Sequence, residues 1–381
     1  MADTIVVPVG IACLVVAAIG SLYALGAAVA MRRLRKPAGQ VPVAWPGVSV
    51  LKPLAGAPPG LPDDLRSLCD QEYRGPVQIV FGVQDPSDPA VAVVERLIAD
   101  RPGRDLSLIV HTSVPAANPK IANLAGLESF VRHDVVIASD ADIAVPRDYL
   151  ATTIAALETP GTGAVTCLYR GVARGNLWSR LASMGIDYHF LPSVVVGTSL
   201  RLARPCFGST IALRRPLLAA IGGFRAFGEI LADDYAVGEA VRAQGLAVSM
   251  PSMIVAHACY ESRLADLVRH ELRWARTVRA VSPRGYAGSI VTHPLPFAIA
   301  AAALLGAPGA WAIAAAVTSR LVLQAQVDHT LGVPGRRWWL GPARDVLSFC
   351  IHVAGYFVDV VEWGRRRYRI RRDGTLSSAE P

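Results

Sequence analysis

The feature that most constrains this chain is the run from Ile5 to Ala30, 26 residues without a charged side chain. At about 1.5 Å per helical residue, that run exceeds the roughly 30 Å of a bilayer's hydrocarbon core, so a transmembrane helix is expected. A cleaved signal peptide would carry basic residues ahead of its apolar stretch. Here only Asp3 precedes it, whereas Arg32, Arg33, Arg35 and Lys36 follow at once, which predicts an uncleaved anchor. The positive-inside rule then puts the amino terminus outside and the remainder in the cytosol. Composition agrees: 52% of the 381 residues are hydrophobic and 18% charged, an apolar surplus over ordinary soluble chains.

A second uncharged stretch, Ile290 to Ser319, continues in apolar character to Val327 and is interrupted by Gly306-Ala307-Pro308-Gly309. A helical hairpin fits it, as does one span plus an interfacial piece. The run Val346 to Val358 has only 13 residues and suits the interface. The net charge of +8 raises nucleic acid as a partner, but six arginines crowd Arg365 to Arg372 beside apolar sequence. Anionic lipid headgroups account for that cluster better. The six cysteines show no C-x-x-C spacing and read as reduced packing residues, in keeping with a cytosolic domain. The resulting plan is an anchor and basic stop over 1–36, a linker over 37–47, a cytosolic domain over 48–288, membrane helices over 289–364 and a basic tail over 365–381.

Between residues 48 and 288, β-rich runs alternate with helical patterns: Val48 to Leu51, a helix near Leu61 to Gln71, Val77 to Val83, a helix near Pro89 to Ala99, Leu106 to Val110, a helix near Ile121 to Phe130, then Val135 to Ala138. This rhythm predicts a mostly parallel α/β sheet whose ligands bind at the carboxyl ends of the strands. Asp140-Ala141-Asp142 stands at such an end. Two carboxylates there suit a hard divalent cation, Mg²⁺ or Mn²⁺, with diphosphate oxygens filling other positions; a solvated Asx turn is the plain alternative. Asp233-Asp234 precedes a helix from about Ala236 to Gln244, where one aspartate would cap the helix and the other could act as general base. Asp85 ends the second strand and could meet a nucleotide or cap the next helix, and Lys120 after Asn118-Pro119 could meet phosphate or lie on the surface. Arg273 and Trp274, on a helix expected over Arg263 to Arg279 with Arg269 and Arg276, could grip a diphosphate and stack on a sugar, or form a basic face.

In this order and spacing the segments resemble the ceramide glucosyltransferase family of inverting GT-A glycosyltransferases, marked by three separated aspartate motifs and (Q/R)-x-x-R-W. The matching residues are Ser49 to Leu54, Val83-Gln84-Asp85, Asn118-Pro119-Lys120, Asp140-Ala141-Asp142, Asp233-Asp234-Tyr235 and Arg273-Trp274. The runs Val165 to Gly171, Leu231 to Tyr235 and Glu271 to Thr277 are most similar to the bacterial hopanoid-associated branch. The resemblance implies an α/β GT-A fold on the cytosolic face of the bacterial inner membrane, and transfer of N-acetylglucosamine from UDP to the side chain of bacteriohopanetetrol. It also implies roles: Asp85 at the nucleotide, Asp140 and Asp142 around metal and donor, Asp234 as base with Asp233 the other carboxylate of that pair, and Arg273 and Trp274 at the diphosphate and acceptor. His270 departs from the pattern's Gln or Arg and cannot copy a bidentate contact.

Three other readings compete. A ceramide glucosyltransferase using UDP-glucose is the first, because ceramide, like the hopanoid polyol, offers a primary hydroxyl on a lipid. A processive polysaccharide synthase shares the aspartates and the R-W ending, but needs more spans for a polymer channel. A non-catalytic membrane lipid-binding scaffold would have no need of the full acidic set. The apolar segment Phe190 to Gly197 is either a membrane-facing surface or a buried element. Deleting the chain from Ile290 onward is expected to harm lipid use more than donor hydrolysis.

Overall fold

The computed structural model describes residues 2–34, 41–111, 115–333, 338–363, 366–371 and 374–378. Arg35 and Lys36 of the expected basic stop, residues 37–40 of the expected linker, and Arg365 and Arg372 of the basic tail lie outside the described residues. The chain divides into two compact units: Met1–Arg35 with Asn176–Arg204 and Glu261–Glu362, and Lys36–Gly175 with Pro205–Tyr260 and Trp363–Pro381. Two stretches of the expected 48–288 domain, Asn176–Arg204 and 261–288, thus belong to the first, helical unit.

The strands that build the α/β unit are β1 (Val48–Pro53), β2 (Val77–Val83), β3 (Asp105–Val110), β4 (Val135–Ala138), β5 (Ile143–Ala144), β6 (Thr162–Val165), β7 (Leu168–Ala173), β8 (Ile211–Arg214), β9 (Ala247–Ser249) and β10 (Ile254–Cys259). Seven form one sheet in the order β3-β2-β1-β4-β8-β6-β9. The first four neighbours run parallel, β8 runs antiparallel to β4 and β6, and β9 runs parallel to β6. Val50, Ile79, Phe81 and Ile137 go to one apolar cluster, and Leu51, Val80, Val136 and Ala138 to another. Alternate side chains therefore serve opposite faces, and a strand buried on both faces reads as an unbroken apolar run. Full burial of one such side chain as Phe81 contributes about 1.5–3 kcal/mol.

Because β1, β2 and β4 are parallel neighbours, the residues that follow Pro53, Val83 and Ala138 emerge along one edge of the sheet. A smaller sheet, β5-β10-β7, backs the turn after β4. There the Ala258 N–H donates to the Asp142 carbonyl at 2.8 Å. The end of the chain also joins this unit. Strands Arg366–Ile370 and Leu376–Ser378 pair antiparallel, the Leu376 N–H donates to the Glu229 carbonyl at 2.8 Å, and the Leu231 N–H donates to the Gly374 carbonyl at 3.2 Å.

In the helical unit, Ile5–Met31 (mean hydropathy 2.6) and Ala307–Leu331 (1.2) are each long and apolar enough to cross a membrane. Pro283–Thr292 and Pro294–Leu305, bent by 60°, make a third candidate if counted as one span. The expected break falls at Gly306, whose φ of +68° favours glycine. Small residues let the backbones approach closely: a Cβ on Gly20 would lie 2.4 Å from the Val291 carbonyl oxygen, and one on Gly309 would lie 2.1 Å from the Ala302 nitrogen. The charged residues of Ala307–Leu331 are paired inside the unit. Arg320 donates to Asp345 through Nε at 3.0 Å and Nη2 at 2.9 Å, and Asp328 accepts from Tyr188 Oη at 2.7 Å and Trp338 Nε1 at 3.0 Å. Phe190 ends a π-helical turn, and Leu191–Ser199 is a helix with Leu191, Pro192 and Val195 buried.

Candidate active site

Asn118, Pro119 and Lys120 each do a separate job at the head of the helix Pro119–Leu127. The Asn118 side chain caps it, accepting from the Lys120 and Ile121 amides at 3.1 and 3.2 Å, and Pro119 occupies the first turn, where no donor is needed. The cap's Nδ2 donates to Asp233 Oδ1 at 3.1 Å, which ties this helix to the second acidic motif. Lys120 Nζ stands 2.8 Å from Asp140 Oδ1 and 3.0 Å from Asp233 Oδ2. One ammonium thus joins the two acidic motifs. Burial works to lower the Lys120 pKa, but Asp140, Asp233 and Asp234 outweigh it and hold the group protonated. Asp140 is in turn held below the usual carboxylate range: burial opposes ionisation, and the Lys120 charge and hydrogen bond, with Lys52 and His257, overcome it.

Asp233 and Asp234 open the helix Asp233–Ala243, where the helix dipole favours carboxylates, and Ala232 takes the cap position. The pair is not equivalent. Asp233 is 4% exposed and engaged by Asn118 and Lys120, whereas Asp234 is partly exposed. Backbone amides orient both Asp234 oxygens, Gly208 N–H to Oδ2 at 2.9 Å and Tyr235 N–H to Oδ1 at 2.7 Å. Burial, then the neighbouring Asp233, pushes the Asp234 carboxyl up to about 6 against the pull of Lys120 and those amides. A carboxylate poised there suits proton abstraction near neutral pH.

Three further residues, to which sequence reasoning gave no role, join this group. Gly208 accepts from the Asp140 N–H through its carbonyl at 3.1 Å while its own amide holds Asp234. A Cβ on it would lie 2.5 Å from both Asp140 Oδ2 and Lys120 Nζ, so only glycine leaves this space open. His257 on β10 places Nε2 3.2 Å from Asp142 Oδ2. Lys52, fully buried near the end of β1, donates to Ser139 Oγ at 3.2 Å, to the Ile143 carbonyl at 3.0 Å and to the Asp140 carbonyl. Burial draws its ammonium down to about 8, opposed by Asp142, Asp140 and Asp64. The legible signal was a lysine inside an apolar strand; Gly208 and His257 carry none, because their role arises only when distant segments meet.

Asp142 Oδ1 is buried and has no hydrogen-bond partner among the described residues. An orphaned carboxylate oxygen of this kind is a ready ligand for a hard cation. Among the described residues no group of three or more His, Cys, Asp or Glu side chains is arranged to hold a metal. The residues therefore fit a cation that takes one or two protein carboxylates and completes its shell from donor phosphate and water, as Mg²⁺ does.

Asp85 emerges on the same sheet edge after β2, with Oδ1 accepting from the Ser87 amide at 2.8 Å and Ser87 Oγ at 2.7 Å. It does not cap the following helix; Asp88 bonds the Ala90 amide at 2.8 Å. Arg273 and Trp274 lie in the other unit, on the helix Leu264–Val281. Within that unit His270 meets Glu261 at 2.7 Å and packs edge-on to Trp274 with ring centroids 4.3 Å apart. Of the expected arginine stripe, Arg269 pairs with Glu362 at 2.7 Å and Arg276 with Asp359 at 3.2 Å.

The family model "Glycosyl transferase family 21" matches residues 12–376. Ceramide glucosyltransferase 1 of Caenorhabditis elegans is 26% identical over 203 residues, covering 52% of this chain and 43% of that protein. Ceramide glucosyltransferase of Candida albicans is 28% identical over 124 residues, 30% of this chain and 23% of that protein. The matched stretches span less than half of either relative's length. A solved mannosyltransferase from Pyrobaculum calidifontis, in complex with GDP-Man and Mn²⁺, superposes with a TM-score of 0.51 at 21% identity, over 91% of this chain and 98% of that one, and establishes the shared GT-A fold. With the family model covering nearly the whole sequence and the fold agreeing, this chain belongs to glycosyl transferase family 21.

Proposed function

We propose that the protein is an inverting lipid glycosyltransferase that moves a sugar, N-acetylglucosamine from UDP, to a side-chain hydroxyl of a hopanoid polyol. The observation that carries the transferase reading is the convergence of Lys120, Asp140, Asp142, Asp233 and Asp234 beside the carboxyl ends of parallel strands. Ceramide glucosyltransferase relatives support a lipid acceptor; the runs Val165 to Gly171 and Glu271 to Thr277 favour the hopanoid over ceramide. The anchor at Ile5–Met31 and its trailing arginines support a catalytic unit facing the cytosol of the bacterial inner membrane.

In this reading Asp234 takes the proton of the acceptor hydroxyl, which then attacks the anomeric carbon from the face opposite the nucleotide and inverts it. Asp233, held by Asn118 and Lys120, is a positioning group beside Asp234. Asp140 and Asp142 would hold Mg²⁺ or Mn²⁺, which when bound supplies positive charge to the departing diphosphate. Asp85 contacts the nucleotide, Lys120 the phosphates, and Arg273 and Trp274 the diphosphate and acceptor. The test is to incubate membranes carrying the protein with UDP-glucose or UDP-N-acetylglucosamine and with bacteriohopanetetrol or ceramide, and to identify products by mass spectrometry. A glycosylated hopanoid made only from UDP-N-acetylglucosamine is the expected result. Glucosylceramide would move the reading to the sphingolipid enzyme, and no product with any lipid would overturn it.

A further inference from the structure

We infer that Lys52 is a positioning residue that sets the shape of the Asp140–Asp142 turn, and through it the affinity for a divalent cation bound with a nucleoside diphosphate. The inference rests on the reading of that turn as the cation and donor site. Lys52 lies near the end of β1, with Phe81 its register partner on β2 and the last β1–β4 pair, Leu51 with Ala138, just before it, and it is 0% exposed. An ammonium so placed loses its hydration and needs three acceptors for its three N–H groups. All three come from one five-residue segment: the Ser139 hydroxyl, the Asp140 carbonyl and the Ile143 carbonyl. Among the described residues it makes no direct ion pair with a carboxylate; its donors go to the Ser139 hydroxyl and to backbone carbonyls on either side of Ala141-Asp142.

The other groups on this turn complete the frame. The Asp140 N–H is held by the Gly208 carbonyl at 3.1 Å, the Asp142 carbonyl by the Ala258 N–H at 2.8 Å, and the Ile143 N–H by the Asp140 carbonyl at 3.3 Å. Among the described residues, Lys52 is the one side chain that bonds both ends of the turn. A lysine serving only to stabilise the core would be replaceable by an apolar residue of equal length, and often with profit, because the buried charge is costly. A lysine that shapes the turn would not be replaceable without displacing the orphaned Asp142 Oδ1. Outer groups that orient metal ligands typically change metal affinity by about 10–100-fold.

The experiment compares the full-length protein with Lys52→Met and Lys52→Arg in detergent, reading Mn²⁺ binding in the presence of UDP by loss of the free-ion EPR signal, alongside thermal unfolding. Lys52→Met is expected to unfold within a few degrees of wild type and to need about tenfold more Mn²⁺ for half-saturation, with Lys52→Arg falling between. Wild-type Mn²⁺ affinity in Lys52→Met overturns the inference and leaves the transferase reading standing. If the wild-type protein itself takes up no Mn²⁺ with UDP, the reading of the turn as a cation and donor site falls, and the inference with it. Should Lys52→Met fail to fold, Ser139→Ala removes one of the three acceptors: a two- to threefold weaker Mn²⁺ affinity supports the inference, and an unchanged one overturns it.

Discussion

Gly208→Ala separates function from stability at this site. The added methyl would lie 2.5 Å from Asp140 Oδ2 and from Lys120 Nζ, whereas ordinary contact begins near 3.4 Å, so the two groups must retreat by about 0.9 Å. Both are ends of side chains that can turn aside, and the backbone at Gly208 is not in the left-handed region, so the fold need not yield. A glycine replaced by alanine at a compatible position also gains about 0.4–1 kcal/mol through the unfolded chain. Net stability should therefore change by less than about 1 kcal/mol. The chemistry has no such slack: a misplacement near 1 Å can cost about 10²-fold, equivalent to about 2.7 kcal/mol of transition-state stabilisation. We expect kcat/KM for donor and lipid to fall about 100-fold while the thermal midpoint stays within a few degrees, both measured on one detergent preparation. Activity within threefold of wild type would show that the Asp140–Lys120 geometry is not needed, and the reasoning would fail.

Other expectations follow from the same group of residues. With the Asp234 carboxyl raised to about 6, kcat/KM should fall about tenfold per pH unit below that value, and Asp234→Asn should remove most of the rate at any pH. The sign for stability is opposite: the native state binds this proton more tightly than the unfolded chain does, so the contribution is present below about pH 4 and is lost as pH rises to about 6. Asp234→Asn should accordingly melt no lower than wild type at pH 7, and pH–rate profiles with melts check both. Asp142→Asn should weaken Mn²⁺ binding with UDP by about 10–100-fold in an EPR titration, because it removes the negative charge from the group that carries the orphaned oxygen. Removing residues 374 onward should lower lipid transfer and donor hydrolysis together, since Leu376 and Gly374 bond the loop ahead of Asp233; sparing of donor hydrolysis would contradict this.

That last expectation revises what the sequence suggested, and it marks where legibility ends. Strands β1, β2 and β4 were readable because burial on both faces demands consecutive apolar residues, and Asp140-Ala141-Asp142 was readable because it interrupts one of them. The long uncharged run at Ile5 was equally plain. What stayed hidden depends on segments distant in sequence. Asp233 and Asp234 are adjacent and chemically identical, and they are told apart by Asn118 and Lys120, more than a hundred residues earlier, which engage Asp233, and by the Gly208 amide, which holds Asp234. Gly208 matters for what it leaves empty, which no residue pattern records. The assignment of 176–204 and 261–288 to the helical unit is likewise a matter of packing partners, not of local composition.

The pairing of Glu229 and Leu231 with Leu376 and Gly374 has a temporal side. On a ribosome, the aspartates at 140, 142, 233 and 234 leave the exit tunnel well before the strand that braces the last two. Until residue 376 emerges, the loop leading to Asp233 has its bond from Asn118 N–H to the Gly228 carbonyl but not those from the tail. The loop before Asp233 is thus among the last parts of its unit to gain its full set of backbone bonds as the chain is made.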